Sequence, residues 1–535
     1  MEDTRVQVLS EIEAWIKDLT GPQIFWLAGM MGTGKSAIAW SVCSRASKDQ
    51  EIVLGGSFFC SRSTGVQEQR DIRCVVPTLA QLMARQSAKF AEALAQELER
   101  DPEVLHKQVG VQVEKLLYKP LLALRDSLVP ILFVIDALDE CGGPLAGSGS
   151  RTGTGSGDND AETQRIVSNM LEALVTFSSS SVNLPVKFFV TSRPETHIRD
   201  THVSDVKFSK VLRLHEVGKQ QVTADIRLYI SNRLIKASNV RGMFTDDDVR
   251  TLLGICDGLF IVASTALGHA LGAGIELARA RFDSLLNASR DGLSAGATGP
   301  LDHMYAVIVE DAAKVGDVET NQLTALRRIL AALLSARMTL SIAALAELLG
   351  LPSIQLRASM TRLHAVVRIP DKDDDASLRP IHASFGDYLL GRASNRIRIS
   401  EVFGDDALAH GCFQVLVKRL HFNVSQSRSS FESNSKPNSI TLPLEYACLQ
   451  WIFHVIAVLE PSKTDPSAKR PRPSWFPAWM QRALLVLHQT DLEEKINSVF
   501  RPRLLFWLEV MSVLGQIQRA AAMLMFGATT VCHLT

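Results

Sequence analysis

Residues 23–39 read QIFWLAGMMGTGKSAIA: a run of large apolar residues, a glycine-rich turn closed by a lysine and a serine, then the start of a helical pattern. Gly29, four intervening residues and then Gly34-Lys35-Ser36 match the GxxxxGK[ST] spacing without a misfit. Glycines in such a turn let successive peptide N–H groups face one centre, the lysine reaches terminal phosphates, and the serine hydroxyl suits Mg2+. A helix beginning near Lys35 adds the positive end of its dipole, so Gly29, Gly32, Thr33, Gly34, Lys35, Ser36 and Ala37 make up a candidate phosphate site. The bland alternative is a glycine-rich connector with no ligand. The placement of the turn between a buried strand and a helix favours the phosphate reading.

From residue 23 to about 215, the apolar β-rich runs QIFWLAG, VLGGSFF, ILFVIDAL, VKFFVTSR and KVLRL alternate with longer helical patterns. Near-continuous apolar runs are those of parallel strands covered on both faces, and the alternation predicts a three-layer α/β/α domain. Beyond 216 the β signal fades into helical periodicity. Between 320 and 395, helices including SIQLRASMTRLHA precede the short strands VVRI and LRPIHA around an acidic turn, which is the order of a winged helix. The expected fold class is therefore multidomain, α/β plus α. An N-terminal helix (1–22) leads into a P-loop domain (23–215), a helical domain (216–300), a winged helix (301–395) and a C-terminal helical region (396–535). The glycine- and serine-rich insert 147–160 is expected to be a mobile loop, because such a composition cannot offset the entropy of ordering. No internal repeat stands out.

Two further stretches carry chemistry. ILFVIDALDE places Asp136 at the carboxyl edge of the sheet beside the phosphate loop, where a carboxylate would hold Mg2+. Asp139 and Glu140 follow one turn later; either could orient an attacking water, and spacing does not choose between them. Paired acids after a strand also suit an ordinary helix N-terminus. In FFVTSRPE, Arg193 is set to touch a terminal phosphate, against the alternative of a surface ion pair.

Composition narrows the field. Lys plus Arg and Asp plus Glu are 57 each, so no global field draws nucleic acid or an anionic membrane. The eight cysteines form no CxxC pair and no metal-type cluster, which points to reduced thiols in a cytoplasmic setting, and the N-terminus lacks the basic end and apolar run of a signal peptide. The run LFIVASTALGHALGAGIELA at 259–278 is barely long enough to span a bilayer and carries His269, so a buried helix is the expectation and no membrane partner is assigned.

Taken together, GMMGTGKS, VIDALDEC and VTSRPE resemble the NACHT subgroup of the STAND class of P-loop NTPases. SFFCSR, PTLAQLMA, GLFIVASTAL, HASFGDYL and FWLEVMSVLG extend the likeness along nearly the whole chain. It is most similar to the NACHT proteins of fungal NLR-like receptors, including those with a nephrocystin-3-like N-terminal nucleotide domain. The resemblance implies a switch that ADP holds closed and ATP opens for homo-oligomerisation with protein signalling partners, in innate-immunity-like or cell-death signalling; GTP is the alternative nucleotide. It also implies that His382, in IHASFGDYL, meets the diphosphate of the closed form; on its own, a strand-end histidine is more often structural. Where many relatives stack a proline on adenine, CDGLFIVA has Leu259. Only about 22 residues precede the first strand and the chain stops at GATTVCHLT, which leaves room for neither an effector module nor a repeat sensor. A minimal core, a partner for other chains and an incomplete gene product all fit that length.

Four functional classes follow from these residues. A slow signalling ATPase leads. A scaffold that holds nucleotide without hydrolysing it is the alternative, disfavoured by the intact acids. Nucleic-acid binding ranks below both: SIQLRASMTRLHA has two arginines, KRPRPS is a lone basic patch, and backbone neutralisation needs several cations on one face. Metabolic kinase chemistry would rest on the P-loop alone.

Overall fold

A computed structural model describes residues 4–61, 67–141, 156–178, 184–201, 209–237, 242–272, 275–292, 299–313, 319–426, 439–459 and 478–524. Two units divide the chain, the first reaching Met304 and the second beginning at Tyr305.

The first unit starts with α1 (Val6–Lys17), whose buried Val8, Leu9, Ile12, Trp15 and Ile16 recur at helical spacing along one face. Next come β1 (Ile24–Ala28), α2 (Lys35–Ala46), β2 (Val53–Phe59), α3 (Val75–Gln86), α4 (Ala88–Arg100) and the short helices α5 (Val109–Gln112) and α6 (Lys119–Leu121). β3 (Ile131–Asp136), α7 (Ser156–Ser178), β4 (Val186–Ser192), a one-turn α8 (Thr196–Arg199) and β5 (Ser209–Arg213) complete the α/β part. All five expected strands are present. They form one parallel sheet in the order β2-β3-β4-β1-β5.

The apolar runs read as continuous because each strand feeds two cores. Ile24, Trp26 and Ala28 of β1 point into a cluster with Phe133, Phe188 and side chains of α3, α4 and α7. Phe25 and Leu27 enter the other, with Leu132, Phe189 and residues of α1 and α2. Period-two alternation thus sorts one strand's side chains between two layers, and an aromatic as fully buried as Trp26 contributes ~2–3 kcal/mol. This is an α/β domain followed by a helical region. One expectation needs correcting: of the supposed loop 147–160, residues 156–160 already belong to α7, and the rest lies outside the described residues.

The same unit continues with α9 (Lys219–Lys236), α10 (Asp246–Cys256), α11 (Phe260–Leu271), α12 (Ile275–Gly292) and the start of α13 (Gly299–Ala313). Thr245 and Asp248 form a reciprocal capping box on α10. The apolar stretch 259–278 is divided between α11 and α12, with His269 buried, and among the described residues no helix is long and apolar enough to cross a membrane.

In the second unit, the rest of α13 leads to α14 (Glu319–Ser335), α15 (Ile342–Leu349), α16 (Ser353–Thr361), β6 (Val367–Arg368), β7 (Arg379–Pro380) and α17 (Ala383–Asp387). α18 (Glu401–Arg419), α19 (Leu442–Leu459) and α20 (Ala478–Val513) follow. The helices-then-hairpin order holds, although β6 and β7 pair through two residues each. α18 crosses its neighbours at two glycines: a Cβ on Gly404 would lie 2.3 Å from the Ala331 carbonyl oxygen, and one on Gly411 2.0 Å from that of Leu348. Between α18 and α19, Asp405 Oδ1 lies 2.6 Å from His454 Nδ1 and the Tyr446 hydroxyl 2.7 Å from His454 Nε2, a chain of buried polar groups.

Candidate phosphate and metal site

The glycine-rich turn begins where β1 ends, deep in the sheet. Gly32 and Gly34 take φ of +79° and +95°, left-handed values that L side chains rarely adopt. Gly32 has a second reason to be glycine, since a Cβ there would come within 2.4 Å of Ile261 Cγ2 on α11. Gly34 caps α2 without a side-chain hydrogen bond, so the first N–H groups of that helix keep their capacity for an anion.

Several carbonyls of the turn are engaged. Lys35 Nζ donates to Gly29 O at 2.8 Å and Met30 O at 3.1 Å, and Thr33 Oγ1 donates to Met30 O at 2.8 Å. Gly32 O accepts from the Ile261 amide at 3.3 Å, and Thr33 O from Arg5 Nη2 at 3.3 Å. Burial lowers the Lys35 pKa from its ordinary value, with Asp139 opposing that shift and Arg193 adding to it. Ala37 sits half-buried in the first turn of α2, and Leu259, at the N-cap of α11, stands 4.0 Å from where a Gly32 Cβ would be.

The acids come from β3. β4 separates β3 from β1, so Asp136 is not on the strand next to the phosphate loop; the Ser36 side chain nevertheless acts to lower its pKa. The inserted strand supplies what links the two sides. Thr191 Oγ1 donates to Asp136 Oδ1 at 2.6 Å and accepts from the Ala137 amide at 2.9 Å. Burial raises the Asp136 pKa above its ordinary value, and Thr191 and Ser36 counter that rise. Ala137 is left-handed, with φ of +52°, and bends the chain so that Leu138–Glu140 turn as a 3-10 helix; a small residue limits the strain there.

Asp139 is buried and held by Arg193, accepting its backbone N–H at 2.9 Å and pairing with Nε at 3.1 Å. Arg193 Nη2 also lies 3.6 Å from Met31 Sδ, which carries this side chain to the phosphate turn. Glu140 is half-buried beside them. Gly29 to Ala37, Asp136, Asp139, Glu140 and Arg193 thus gather at one end of the sheet. A hydroxyl–carboxylate pair on one side, with an ammonium and glycine-opened amides on the other, is a donor set that fits a Mg2+–nucleotide.

His382 belongs to the second unit. There its Nδ1 accepts the Ser384 amide at 3.2 Å as the N-cap of α17 and lies 2.7 Å from Ser384 Oγ, which in turn lies 2.7 Å from the Tyr305 hydroxyl. Three residues at the phosphate and metal site escape sequence reasoning. Thr191 lies inside the quoted VTSR stretch and draws no attention there. Ile261 acts through its backbone, which no side-chain pattern reveals. Arg5 is 1% exposed, takes left-handed φ of +58° and lies over the Phe260 ring at 5.1 Å, with burial lowering its pKa. A cleft of about 910 Å3 lined by Arg73, Lys107, Tyr118, Arg165 and Phe177 includes none of the residues singled out from the motifs.

Residues 6–193 match the family described as nephrocystin 3, N-terminal. No curated protein matches the chain. Among solved structures, Cdc6p from Pyrobaculum aerophilum is 11% identical, with 72% of this chain and 94% of that one covered and a TM-score of 0.32. A signal transduction ATPase with numerous domains and a tetratricopeptide repeat sensor, from Pyrococcus horikoshii, is 10% identical over 99% of this chain, at a TM-score of 0.37; the chain spans 64% of its length. The Drosophila ORC bound to DNA gives 13% identity, 73% and 95% coverage and a TM-score of 0.24. Likenesses this distant add no detail to the site, whereas the family match runs from α1 to Arg193 and takes in the phosphate turn and the acids. Over residues 6–193 the chain is similar to the nephrocystin 3 N-terminal family, and this region is an α/β NTPase domain.

Proposed function

We propose that the chain is an ATP-binding switch of the NLR-like STAND kind, in which ATP/ADP exchange and slow hydrolysis set domain opening and assembly. The supporting observation is a glycine-rich turn whose carbonyls meet the Lys35 ammonium, with the buried Asp136 at the same end of the sheet, where Thr191, Ser36 and Lys35 favour its ionised form. Ser36 and Asp136 would hold Mg2+, which when bound draws charge from the terminal phosphates. Lys35 and the amides from Gly29 to Ala37 would grip the β- and γ-phosphates. Arg193 reports on the terminal phosphate. Asp139 is held by Arg193, and either Asp139 or Glu140 would orient the water.

For phosphate to act as a lever, ATP and ADP must differ in affinity for the open and closed states, since equal binding shifts nothing. Homo-oligomerisation, signalling partners, a cytoplasmic setting and an immunity-like or cell-death role belong to this proposal, as does contact of His382 with a diphosphate. One observation favours a second reading, a scaffold that binds nucleotide without turnover: the Asp139–Arg193 pair occupies two of the groups hydrolysis would use. DNA binding loses support, because both arginines of SIQLRASMTRLHA are engaged within their own unit, Arg357 with Asp373 and Arg362 with Asp311.

Binding of labelled ATP to purified wild type and Lys35→Ala tests the reading. Loss of binding in the variant supports it, and equal affinity overturns the phosphate assignment. Phosphate release from wild type beside an Asp139→Ala/Glu140→Ala double variant separates the two readings, since equal and negligible rates favour the scaffold.

A further inference from the structure

In a trans peptide the C=O and the following N–H point in opposite directions, so whatever holds a carbonyl outward aims the next amide inward. Gly29 and Met30 carbonyls are held from within the turn, by Lys35 and Thr33. The two central carbonyls are held from outside it. Gly32 O is bound by the Ile261 amide, in the first turn of α11, and Thr33 O by Arg5, from the residue preceding α1. The peptides so oriented carry the N–H groups of Thr33 and Gly34.

The outside donors depend on each other. The Arg5 guanidinium rests on the ring of Phe260, next to Ile261, and takes its counter-charge from Asp225 on α9; among the described residues its Nε and Nη1 have no hydrogen-bond partner. A buried arginine with two nitrogens unsatisfied is costly as a mere core residue, which argues that its position serves something beyond packing.

We propose that Arg5 and the Ile261 amide are positioning groups for the phosphate cup: they hold Thr33 and Gly32 carbonyls outward, so that diphosphate is gripped tightly only while the first turn of α11 and the N-terminal segment are docked on the turn. This rests on the nucleotide reading above and adds a route for regulation. Displacing α11 withdraws the Ile261 donor and the ring under Arg5 together, and releases phosphate without any change in Lys35 or Asp136.

The test measures affinity of the full chain for ADP and for inorganic pyrophosphate, in wild type, Arg5→Met, Arg5→Lys and Ile261→Pro. Proline is tolerated in the first turn of a helix and deletes the one N–H in question. Arg5→Met and Ile261→Pro should weaken both ligands by about tenfold and by the same factor, the size of one lost hydrogen bond to a site that binds charge, while Arg5→Lys recovers much of the loss. Melting followed by circular dichroism confirms that each variant is folded, and if Arg5→Met fails to fold, the lysine and proline variants still decide. Loss for ADP with pyrophosphate unchanged overturns the proposal by placing Arg5 at the base or sugar. Unchanged affinity for both ligands overturns it outright. A wild type that binds neither ligand overturns the nucleotide reading beneath it.

Discussion

Thr191 Oγ1 donates to Asp136 Oδ1 at 2.6 Å, from the strand that separates the phosphate turn from the acid strand. The bond favours the ionised acid against the burial that disfavours it. Thr191→Val keeps the shape and removes the hydroxyl, leaving the Ala137 amide without its acceptor. Stability should fall by ~1–3 kcal/mol in urea melts. The Asp136 pKa should also rise further, so the pH at which Mg2+-dependent nucleotide binding fades on acidification moves upward; an unmoved profile would mean that this hydroxyl does not tune the acid.

A second prediction concerns α18. A methyl group on Gly411 has nowhere to go but into the Leu348 carbonyl, so Gly411→Ala must push α15 and α18 apart. A loss of ~1–3 kcal/mol is expected from such overpacking, read as a lower urea midpoint at unchanged slope. Gly391→Ala, with nothing within 4 Å, is the matched control and should be close to neutral.

Asp248 carries a signature in acid. The Arg279 guanidinium, with the Thr245 cap, lowers its pKa to about 2. A carboxyl depressed in the folded state adds stability above its unfolded value near 3.8, and that share is lost as pH falls from about 4 to 2. Arg279 is 43% exposed, so solvent screening reduces the share to ~1 kcal/mol or less. Arg279→Gln should lower stability at pH 7 by about that share and flatten the stability–pH curve between pH 4 and 2, so that variant and wild type converge near pH 2.

The buried Asp405–His454–Tyr446 chain predicts a larger effect. Asp405→Ala strands His454 and leaves Arg337 without the carboxylate 3.6 Å away, at a cost of ~3–5 kcal/mol. Burial lowers the His454 pKa below its ordinary 6.5, although Asp405 pulls the other way. The unfolded chain therefore takes up a proton first, and stability should start to decline as pH drops below about 6.5. His454→Phe should remove that part of the pH dependence, as thermal melts across the range would show.

The strands were legible because each one's apolar run is local and continuous, and the phosphate turn because its chemistry is written in consecutive residues. The order of the strands was not. Nothing in ILFVID or VKFFVTS says that the later strand would pass between the earlier one and β1, so Thr191 looked like part of a strand and not a link to Asp136. Arg5 and Ile261 stayed hidden for a related reason, since one reaches the turn from 28 residues away and the other touches it only through a backbone amide. His382 could be located from its motif, but the capping bond to Ser384 comes from local backbone geometry that the motif does not encode.

The sheet order has a consequence for biosynthesis. β1 ends at Ala28, yet both strands that flank it, β4 and β5, begin only at Val186 and Ser209. At ~5–20 residues per second a ribosome needs on the order of ten to thirty seconds to deliver them. Throughout that interval the wholly apolar strand IFWLA has exposed edges and no lateral mate, making it a segment a chaperone would shield during translation.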